Sequence, residues 1–260
     1  MIIDGKKIAA ELREQLKKKV AELKSTYNAV PRLTVILIGE DPPSKIYVKN
    51  KEKFAIEVGI NSEVIRYPEN VEEKTVLNKI QELNSNKKIS GILVQLPLPK
   101  HINKRKVIET INPGKDVDGL HPINIGNLSS GYDSNIPCTP QGCYLLLKKV
   151  EKNLNGKHAV VIGRSNLNGK PMTQLLLKEN CTVTITHSKT KDLKAECSRA
   201  DIIIAAVGRP KLVKGDWVKK DAIVIDVGIN KTNSGLVGDV DFNEVSKVAK
   251  AITPVPGGLG

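Results

Sequence analysis

Short apolar runs that alternate with longer amphipathic segments constrain the fold of this chain more than any other feature. The first half contains the runs RLTVILIG, NSEVIRYP and SGILVQLPLP, separated by segments with helical periodicity. Alternation of this kind predicts parallel sheets covered by helices, which is the α/β class. No apolar run exceeds about eight residues, whereas a helix that spans a bilayer needs roughly 20. We therefore expect an α/β protein without a membrane partner.

A loop-rich stretch divides the chain near its middle. Residues 112–142 are dense in Gly, Pro, Asn, Asp and Ser, which favour turns over regular structure. A second alternating series follows, with the runs KHAVVIG, CTVTITHS, DIIIAAVG, AIVIDVG and AITPVPG. We predict two domains, residues 1–119 and residues 120–260, and a doubly wound nucleotide-binding sheet in the second.

The net charge of +13 raises the alternative of a nucleic-acid-binding protein. The charge is spread evenly, because residues 1–119 carry 22 basic and 16 acidic side chains and residues 120–260 carry 19 and 12. Aromatic residues make up only 3% of the chain, which leaves few platforms for stacking bases. We expect attraction for anionic small molecules such as nucleotides, and no nucleic-acid partner.

The amino terminus and the cysteines favour a cytoplasmic location. MIIDGKKIAAELREQLKKK lacks the apolar core and small-residue cleavage site of a secretory signal. Cys138, Cys143, Cys181 and Cys197 form no C-x-x-C pair and have no histidine at ligand spacing. We expect neither a disulfide framework nor a metal site.

A glycine-containing turn follows the first strand of the second series. HAVVIG runs into GRSNLNGKPM, so Gly163, Ser165 and Gly169 lie where the phosphate turn of a dinucleotide-binding unit belongs. The strict G-x-G-x-x-G fingerprint is absent, because Ser165 replaces the second glycine and the third is delayed to Gly169. On this turn alone, dinucleotide binding and a plain strand–helix turn both remain open.

The residues at the end of the next strand indicate whether the unit binds NADP or NAD. An NAD-specific unit carries an acidic residue there, about 20 residues after the glycines, to bind the ribose 2′-hydroxyl. This chain has His187, Ser188 and Lys189 at that place, and Arg164 in the glycine turn. A cation and a hydroxyl suit a 2′-phosphate. The residues favour NADP, against the alternative of an exposed Arg and Ser with no ligand.

The first half contains a different group of polar residues. Tyr47 and Lys51 are four residues apart in a predicted helix and share one face, which suits proton transfer but also arises by chance in a Lys-rich helix. Gln95 interrupts an apolar run at the carboxyl end of a predicted strand, where open α/β sheets bind ligands. Asp116 and Asp118 lie on a Gly-bounded loop; such aspartates either form Asx turns or present a carboxylate to a cleft between the domains.

These motifs together resemble the bifunctional methylenetetrahydrofolate dehydrogenase/methenyltetrahydrofolate cyclohydrolase family, called FolD in bacteria. The resemblance rests on SKIYVKNK, GILVQLPLP, KDVDGLHPINIGNL, CTPQG, VVIGRSNLNGKPM, HSKT, VGDVDF and ITPVPGGLG, in this order. It covers essentially the whole chain. It implies an N-terminal α/β catalytic domain, a C-terminal Rossmann-type doubly wound NADP-binding domain, a cleft between them, and a homodimer formed through the second domain.

The resemblance also implies roles for individual residues. Lys51 resembles the family's catalytic lysine, and Gln95 would form a hydrogen bond to it and tune its protonation. Asp118 would bind the pterin, and Tyr47 would pack along the folate. The implied catalytic residues are Lys51, Tyr47, Gln95 and Asp118, the implied substrate-binding residues are Ser44, Val94, Leu96, Pro256, Gly257 and Gly258, and the implied NADP contacts are Gly163, Arg164, Ser165, Ser188 and Ile229.

The presence of Lys51 predicts both activities of the family. These are NADP-dependent oxidation of 5,10-methylenetetrahydrofolate to the 5,10-methenyl form and hydrolysis of that product to 10-formyltetrahydrofolate. The alternative is a monofunctional NADP-dependent methylenetetrahydrofolate dehydrogenase. No metal is required, because the two nitrogens that flank the reacting carbon stabilise its cation.

The chain departs from the family pattern in two places. Asn168 stands where relatives carry an apolar residue, which alters how the phosphate turn packs. The chain also ends at PVPGGLG, whereas relatives continue with PMT and a further helix. We expect a truncated chain, and weaker folate affinity if residue 260 is the natural end.

Overall fold

The computed structural model of the protein describes residues 1–233 and 235–259. The chain forms two compact units. One unit is Ala10–Gly126, and the other contains the residues from Asn127 onward together with Met1–Ala9. Among the described residues, no helix is both long enough and apolar enough to cross a bilayer.

Helices and strands alternate along both units. The helices are α1 (Gly5–Tyr27), α2 (Pro42–Glu57), α3 (Glu73–Ser85), α4 (Lys104–Thr110), α5 (Pro122–Ser129), α6 (Cys138–Val150), α7 (Gly169–Lys178), α8 (Leu193–Ser198) and α9 (Phe242–Val245). The strands are β1 (Arg32–Ile38), β2 (Asn61–Tyr67), β3 (Gly91–Val94), β4 (His158–Ile162), β5 (Thr182–Thr186), β6 (Ile202–Ala205), β7 (Ile223–Asp226), β8 (Asn230–Thr232), β9 (Gly235–Val237) and β10 (Ala251–Ile252).

The unit Ala10–Gly126 is built on a parallel sheet of three strands in the order β2-β1-β3. Successive side chains of the central strand point to opposite faces, so each face has its own core. Ile36 and Ile38 pack with residues of α3 and α4, whereas Val35 and Leu37 pack with Val48 of α2. The parallel α/β arrangement predicted from the apolar runs is confirmed.

The second unit contains a parallel sheet of five strands in the order β10-β7-β6-β4-β5, with helices on both faces. The chain leaves β4 for β5 on one side and then returns to β6 on the other side of β4. A reversal of this kind is the topological switch point of a doubly wound fold, outside which ligands bind at the carboxyl ends of the strands. The predicted doubly wound sheet is confirmed.

The first residues of the chain extend the second unit. The Ile3 amide donates to the carbonyl oxygen of Ile252 at 2.8 Å, so the amino terminus pairs with the edge strand β10. Gly5 then lies against the loop after β10, where a Cβ atom on Gly5 would stand 1.6 Å from the carbonyl oxygen of Gly258. The absence of a side chain at residue 5 allows this close approach.

Candidate active site

Lys51 and Gln95 meet at the carboxyl edge of the three-stranded sheet. Gln95 directly follows β3, and its amide donates to the carbonyl oxygen of Ile36 at 2.9 Å, which extends the ladder by one residue. Its side-chain Oε1 accepts a hydrogen bond from Lys51 Nζ at 3.1 Å, and its Nε2 donates to the Leu96 carbonyl oxygen at 2.7 Å. Both side chains are half-buried. The side-chain amide of Gln95 is thus held by the backbone of Leu96 and in turn orients the lysine.

Asp116 holds the neighbouring loop in place. Its carboxylate is almost fully buried and accepts hydrogen bonds from the His121 amide at 2.8 Å and from Asn124 Nδ2 at 2.9 Å. Val117, the next residue, packs so closely on β3 that a Cβ atom on Gly91 would lie 2.4 Å from its Cγ1. The hydrogen bonds of Asp116 and the packing of Val117 on β3 therefore hold the loop in place.

Asp118 lies on the same loop within electrostatic reach of the lysine. Burial raises the pKa of the Asp118 carboxyl, the charge of Lys51 lowers it, and the charge of Asp116 raises it again. The structure thus assigns different roles to the two aspartates, which the sequence analysis did not distinguish. Asp116 anchors the loop through its hydrogen bonds, and Asp118 contributes a half-buried carboxylate beside Lys51.

Ser44 lies in the first turn of α2 and Tyr47 in the second, in different settings. Ser44 is buried, and its hydroxyl donates to Asp41 Oδ2 at 2.6 Å, so it serves the capping of the helix. Its Oγ also lies 3.5 Å from the Leu96 carbonyl oxygen. Tyr47 leaves 51% of its surface exposed, so its ring is available to a flat ligand. Val94 is buried in the core at the end of β3.

Gly163 occupies the switch point of the five-stranded sheet. Its amide donates to the Thr186 carbonyl oxygen at 3.0 Å, which joins the carboxyl ends of β4 and β5. It has φ +119°, and a Cβ atom there would lie 2.5 Å from the carbonyl oxygen of Ala206, just beyond β6. Gly169 begins α7 so close to this turn that its Cβ would stand 2.0 Å from the Gly163 carbonyl oxygen. Both glycines are therefore required by close backbone packing.

Three other predicted contacts of the cofactor, Arg164, Ser165 and Ser188, are exposed. Arg164 and Ser165 follow Gly163, and Ser165 Oγ accepts a hydrogen bond from the Asn168 amide at 3.1 Å. Ser188 lies two residues beyond Thr186 in a turn closed by the bond from the Thr190 amide to the His187 carbonyl oxygen, at 2.9 Å. The pairing of β4 with β5 brings the Arg164 and Ser188 segments to one edge of the sheet.

The turn fits a dinucleotide phosphate. A glycine at the strand end and a glycine at the helix start leave room for a ligand to approach the backbone, and the start of α7 favours negative charge. Asn168, the departure from the family pattern, is buried, and its Oδ1 lies without a hydrogen-bond partner among the described residues. Of the other predicted residues, Ile229 is exposed on the segment between β7 and β8.

The loop of Pro256, Gly257 and Gly258 packs on the amino terminus. The Gly5 amide donates to the Gly257 carbonyl oxygen at 3.1 Å, and Gly257 has φ +104°, a conformation that favours glycine. Pro256 is exposed. The structure therefore holds this loop at the carboxyl side of β10, in the second unit.

Two buried carboxylates that the sequence analysis did not select lie at the carboxyl ends of β6 and β7. Asp226 ends β7 and accepts amide hydrogen bonds from Gly228, Asp239 and Val240, each at 2.9 Å. Burial raises the pKa of its carboxyl to about 6 despite these donors, and the charge of Asp239 adds to the increase. A polar residue at the end of the apolar run AIVIDVG was the available signal, of the same kind that indicated Gln95.

Comparison with family models decides the assignment of this site. Residues 3–118 match the catalytic domain of tetrahydrofolate dehydrogenase/cyclohydrolase, and residues 137–260 match its NAD(P)-binding domain. The chain belongs to the tetrahydrofolate dehydrogenase/cyclohydrolase family. Lys51, Gln95 and Asp118 lie in the part that matches the catalytic domain, and the Gly163 turn lies in the part that matches the NAD(P)-binding domain.

Individual members of the tetrahydrofolate dehydrogenase/cyclohydrolase family agree with this assignment. A "Bifunctional protein FolD" from Pelagibacter ubique (strain HTCC1062) is 77% identical over 260 residues, which cover all of this chain and 92% of that protein. The crystal structure of bifunctional FolD from Campylobacter jejuni is 49% identical, with a TM-score of 0.97 over all of this chain and 93% of the other. A Trypanosoma brucei FolD, complexed with NADP cofactor and inhibitor, is 37% identical, with a TM-score of 0.93 over all of this chain and 91% of the other.

Membership in the tetrahydrofolate dehydrogenase/cyclohydrolase family confirms the main expectations from the sequence. The protein is a bifunctional enzyme with dehydrogenase and cyclohydrolase activities, a catalytic domain and a nicotinamide-cofactor domain. The monofunctional alternative is not favoured.

Proposed function

We propose that this protein oxidises 5,10-methylenetetrahydrofolate to 5,10-methenyltetrahydrofolate with NADP and hydrolyses the product to 10-formyltetrahydrofolate. Residues 1–119 bind the folate and residues 120–260 bind NADP, in keeping with the two family-model matches. The observation that supports the proposal most strongly is the hydrogen bond of 3.1 Å from Lys51 to Gln95, beside the carboxylate of Asp118.

The oxidation step depends mainly on orientation. NADP, when bound, accepts the hydride that leaves the carbon between N5 and N10 of the folate. The two nitrogens stabilise the cation that forms on this carbon, so the step needs no acid or base from the protein. Asp118 binds the amino and ring N–H groups of the pterin, and Tyr47 packs along the folate. These contacts would fix the reacting carbon in the geometry that hydride transfer requires.

The hydrolysis step needs proton transfer, and we assign it to Lys51. A water molecule adds to the carbon between N5 and N10, a C–O bond forms, and the water gives up a proton. The hydroxyl on this carbon then loses its remaining proton and becomes the formyl carbonyl, as the bond to N5 breaks and N5 takes up a proton. The products are 10-formyltetrahydrofolate and one released proton. Lys51 Nζ relays the proton, and the bond from Nζ to Gln95 Oε1 keeps it directed at the substrate.

The preference for NADP follows from Arg164 and Ser188. A guanidinium donates two aligned hydrogen bonds to a phosphate, whereas a carboxylate at the end of β5 would repel it. Arg164 and Ser188 are exposed on segments joined by the hydrogen bond from Gly163 to Thr186, which supports a joint role at the 2′-phosphate. Ser165 and Ile229 complete the proposed contacts.

The protein acts as a cytoplasmic homodimer that binds no nucleic acid. The two parallel sheets differ in their edges: β2 presents the exposed charges of Glu63 and Arg66, whereas β5 is the uncharged strand TVTIT with Ile185 38% exposed. An uncharged, β-branched edge strand is a ready pairing surface. Ile185→Lys would yield monomers in analytical ultracentrifugation, and Ile56→Lys on α2 is the matched control. A dimer that withstands Ile185→Lys would overturn this interface.

The overall proposal is tested by mixing the protein with 5,10-methylenetetrahydrofolate and either NADP or NAD. Reduced cofactor and methenyl product are followed separately. We expect reduction with NADP and little accumulation of the methenyl form, because hydrolysis consumes it. No reduction with either cofactor would refute the dehydrogenase, and steady accumulation of the methenyl form would refute the cyclohydrolase.

A further inference from the structure

Asp239 is fully buried, and four amide groups donate hydrogen bonds to its carboxylate. Its Oδ2 accepts from the backbone of Val207 at 2.6 Å and of Gly208 at 2.9 Å. Its Oδ1 accepts from the backbone of Arg209 at 2.8 Å and from Asn230 Nδ2 at 2.9 Å. One side chain thereby fixes three consecutive amides of a loop that has no regular structure of its own.

The loop that Asp239 holds lies at the switch point. Residues 207–209 follow β6, and the carbonyl oxygen of Ala206 is the atom that a Cβ on Gly163 would approach to 2.5 Å. Asn230, the fourth donor, directly follows Ile229, one of the proposed cofactor contacts. Asp239 therefore connects two segments that border the dinucleotide turn, although its own carboxylate is inaccessible to a ligand.

A second carboxylate fixes the backbone on which Asp239 stands. Asp226 Oδ1 accepts from the Asp239 amide, and Asp226 Oδ2 accepts from the next amide, that of Val240, both at 2.9 Å. Both glycines beside the pair are needed for this packing. A Cβ on Gly228 would lie 2.2 Å from Asp239 Oδ1, and a Cβ on Gly238 would lie 1.8 Å from Asp226 Oδ2. The carboxylate of Asp239 thus has little freedom to move.

We propose that Asp239 is a positioning residue of the dehydrogenase, which holds residues 207–209 and the Ile229–Asn230 segment in the conformation that binds NADP. The inference rests on the proposed function of the Gly163 turn. Burying a carboxylate is costly, and four amide donors offset this cost only while the loop keeps this one conformation. Without these bonds, the cofactor itself would have to order the loop on binding.

The test is Asp239→Asn in the 260-residue chain. The substitution keeps one acceptor oxygen and replaces the other with an NH₂ group that faces amide donors instead of accepting from them. We expect the Kd for NADP, measured by calorimetry without folate, to rise about tenfold or more. The KM for NADP would rise in parallel, whereas hydrolysis of added 5,10-methenyltetrahydrofolate, assayed without NADP, would stay within about twofold of the wild-type rate.

Two further variants keep the test decisive. Asp241→Asn is the matched control, because this carboxylate pairs with Lys214 and not with residues 207–209. If Asp239→Asn does not fold, Asn230→Ala removes one of the four donors and should raise the Kd in the same direction by a smaller factor. An unchanged Kd in a folded variant would overturn the role of Asp239, as would equal losses of both activities and of thermal stability. Failure of the wild-type protein to bind NADP would instead refute the proposed function itself.

Discussion

The two halves of this protein build their candidate sites in different ways. In the unit Ala10–Gly126, the chemistry depends on the side chains of Lys51, Gln95 and Asp118, which the carboxyl edge of a small sheet brings together. At the switch point of the other sheet, the site is mostly backbone. Gly163 and the loop after β6 shape it. The buried carboxylate of Asp239 accepts hydrogen bonds from that loop, and the carboxylate of Asp226 accepts one from the Asp239 amide.

This difference predicts how each site responds to substitution. A half-buried side chain that contacts substrate can be replaced with little effect on folding, so its loss appears in one reaction step. The backbone part of the second site, unlike its Arg164 side chain, cannot be removed by truncation. It is altered only through steric strain or through loss of the groups that hold it, so its changes appear first in stability and cofactor affinity.

The largest expected effect is on hydrolysis in the variant Lys51→Met. Methionine keeps the length of the side chain but cannot transfer a proton, so we expect the cyclohydrolase rate to fall about 10²- to 10⁴-fold. The free energy of unfolding should change by less than about 0.5 kcal/mol, since the lysine is only half-buried. Lys49→Met, an exposed position on the same helix, is the matched control. A similar loss of hydrolysis in both variants would contradict the role of Lys51.

The corresponding change in the backbone site is Gly163→Ala. The added Cβ would stand 2.5 Å from the Ala206 carbonyl oxygen at φ +119°, so we expect the free energy of unfolding to fall by roughly 2–4 kcal/mol. Chemical denaturation measures this loss. Gly156→Ala separates the effect of steric contact from the effect of the positive φ. Gly156 has φ +73°, and a Cβ atom there would have no atom within 4 Å. Equal losses in the two variants would show that steric contact at Gly163 is unimportant.

The buried carboxyl of Asp226 predicts a pH dependence of stability. Its pKa is raised from 3.8 to about 6, so the folded protein binds the proton more tightly than the unfolded chain. Its contribution to stability is present below pH about 4 and is lost as the pH rises through about 6, a change of about 3 kcal/mol. Denaturation from pH 4 to 7 should show this loss in the wild-type protein relative to Asp226→Asn. The same pH dependence in both proteins would contradict the assignment, and Asp133→Asn, at an exposed position, is the control.

A smaller effect is expected from Arg164→Ala. Loss of the charged hydrogen bonds to the 2′-phosphate would raise the KM for NADP by roughly 10- to 100-fold. The KM for NAD, which lacks this phosphate, serves as the internal control and should change little. An equal rise for both cofactors would place Arg164 elsewhere on the dinucleotide.

The sequence predicted the parallel sheets because buried parallel strands appear as continuous apolar runs. It also indicated Gln95, since a polar residue at the end of such a run is conspicuous. Asp239 gave no comparable signal, because it lies outside any helix or strand and three of its four donors are backbone amides 30 to 32 residues away. The pairing of Ile3 with Ile252 was equally hidden, since a three-residue apolar start is too short to show a periodicity.

The central claim is that Lys51 serves hydrolysis through its side chain, whereas the Gly163 turn serves oxidation through its backbone. The most direct test assays both reactions in Lys51→Met and in Gly163→Ala, with hydrolysis started from 5,10-methenyltetrahydrofolate without NADP. We predict opposite losses: Lys51→Met keeps oxidation and loses hydrolysis, and Gly163→Ala keeps hydrolysis and loses oxidation through a raised KM for NADP. Loss of the same reaction in both variants would contradict the claim.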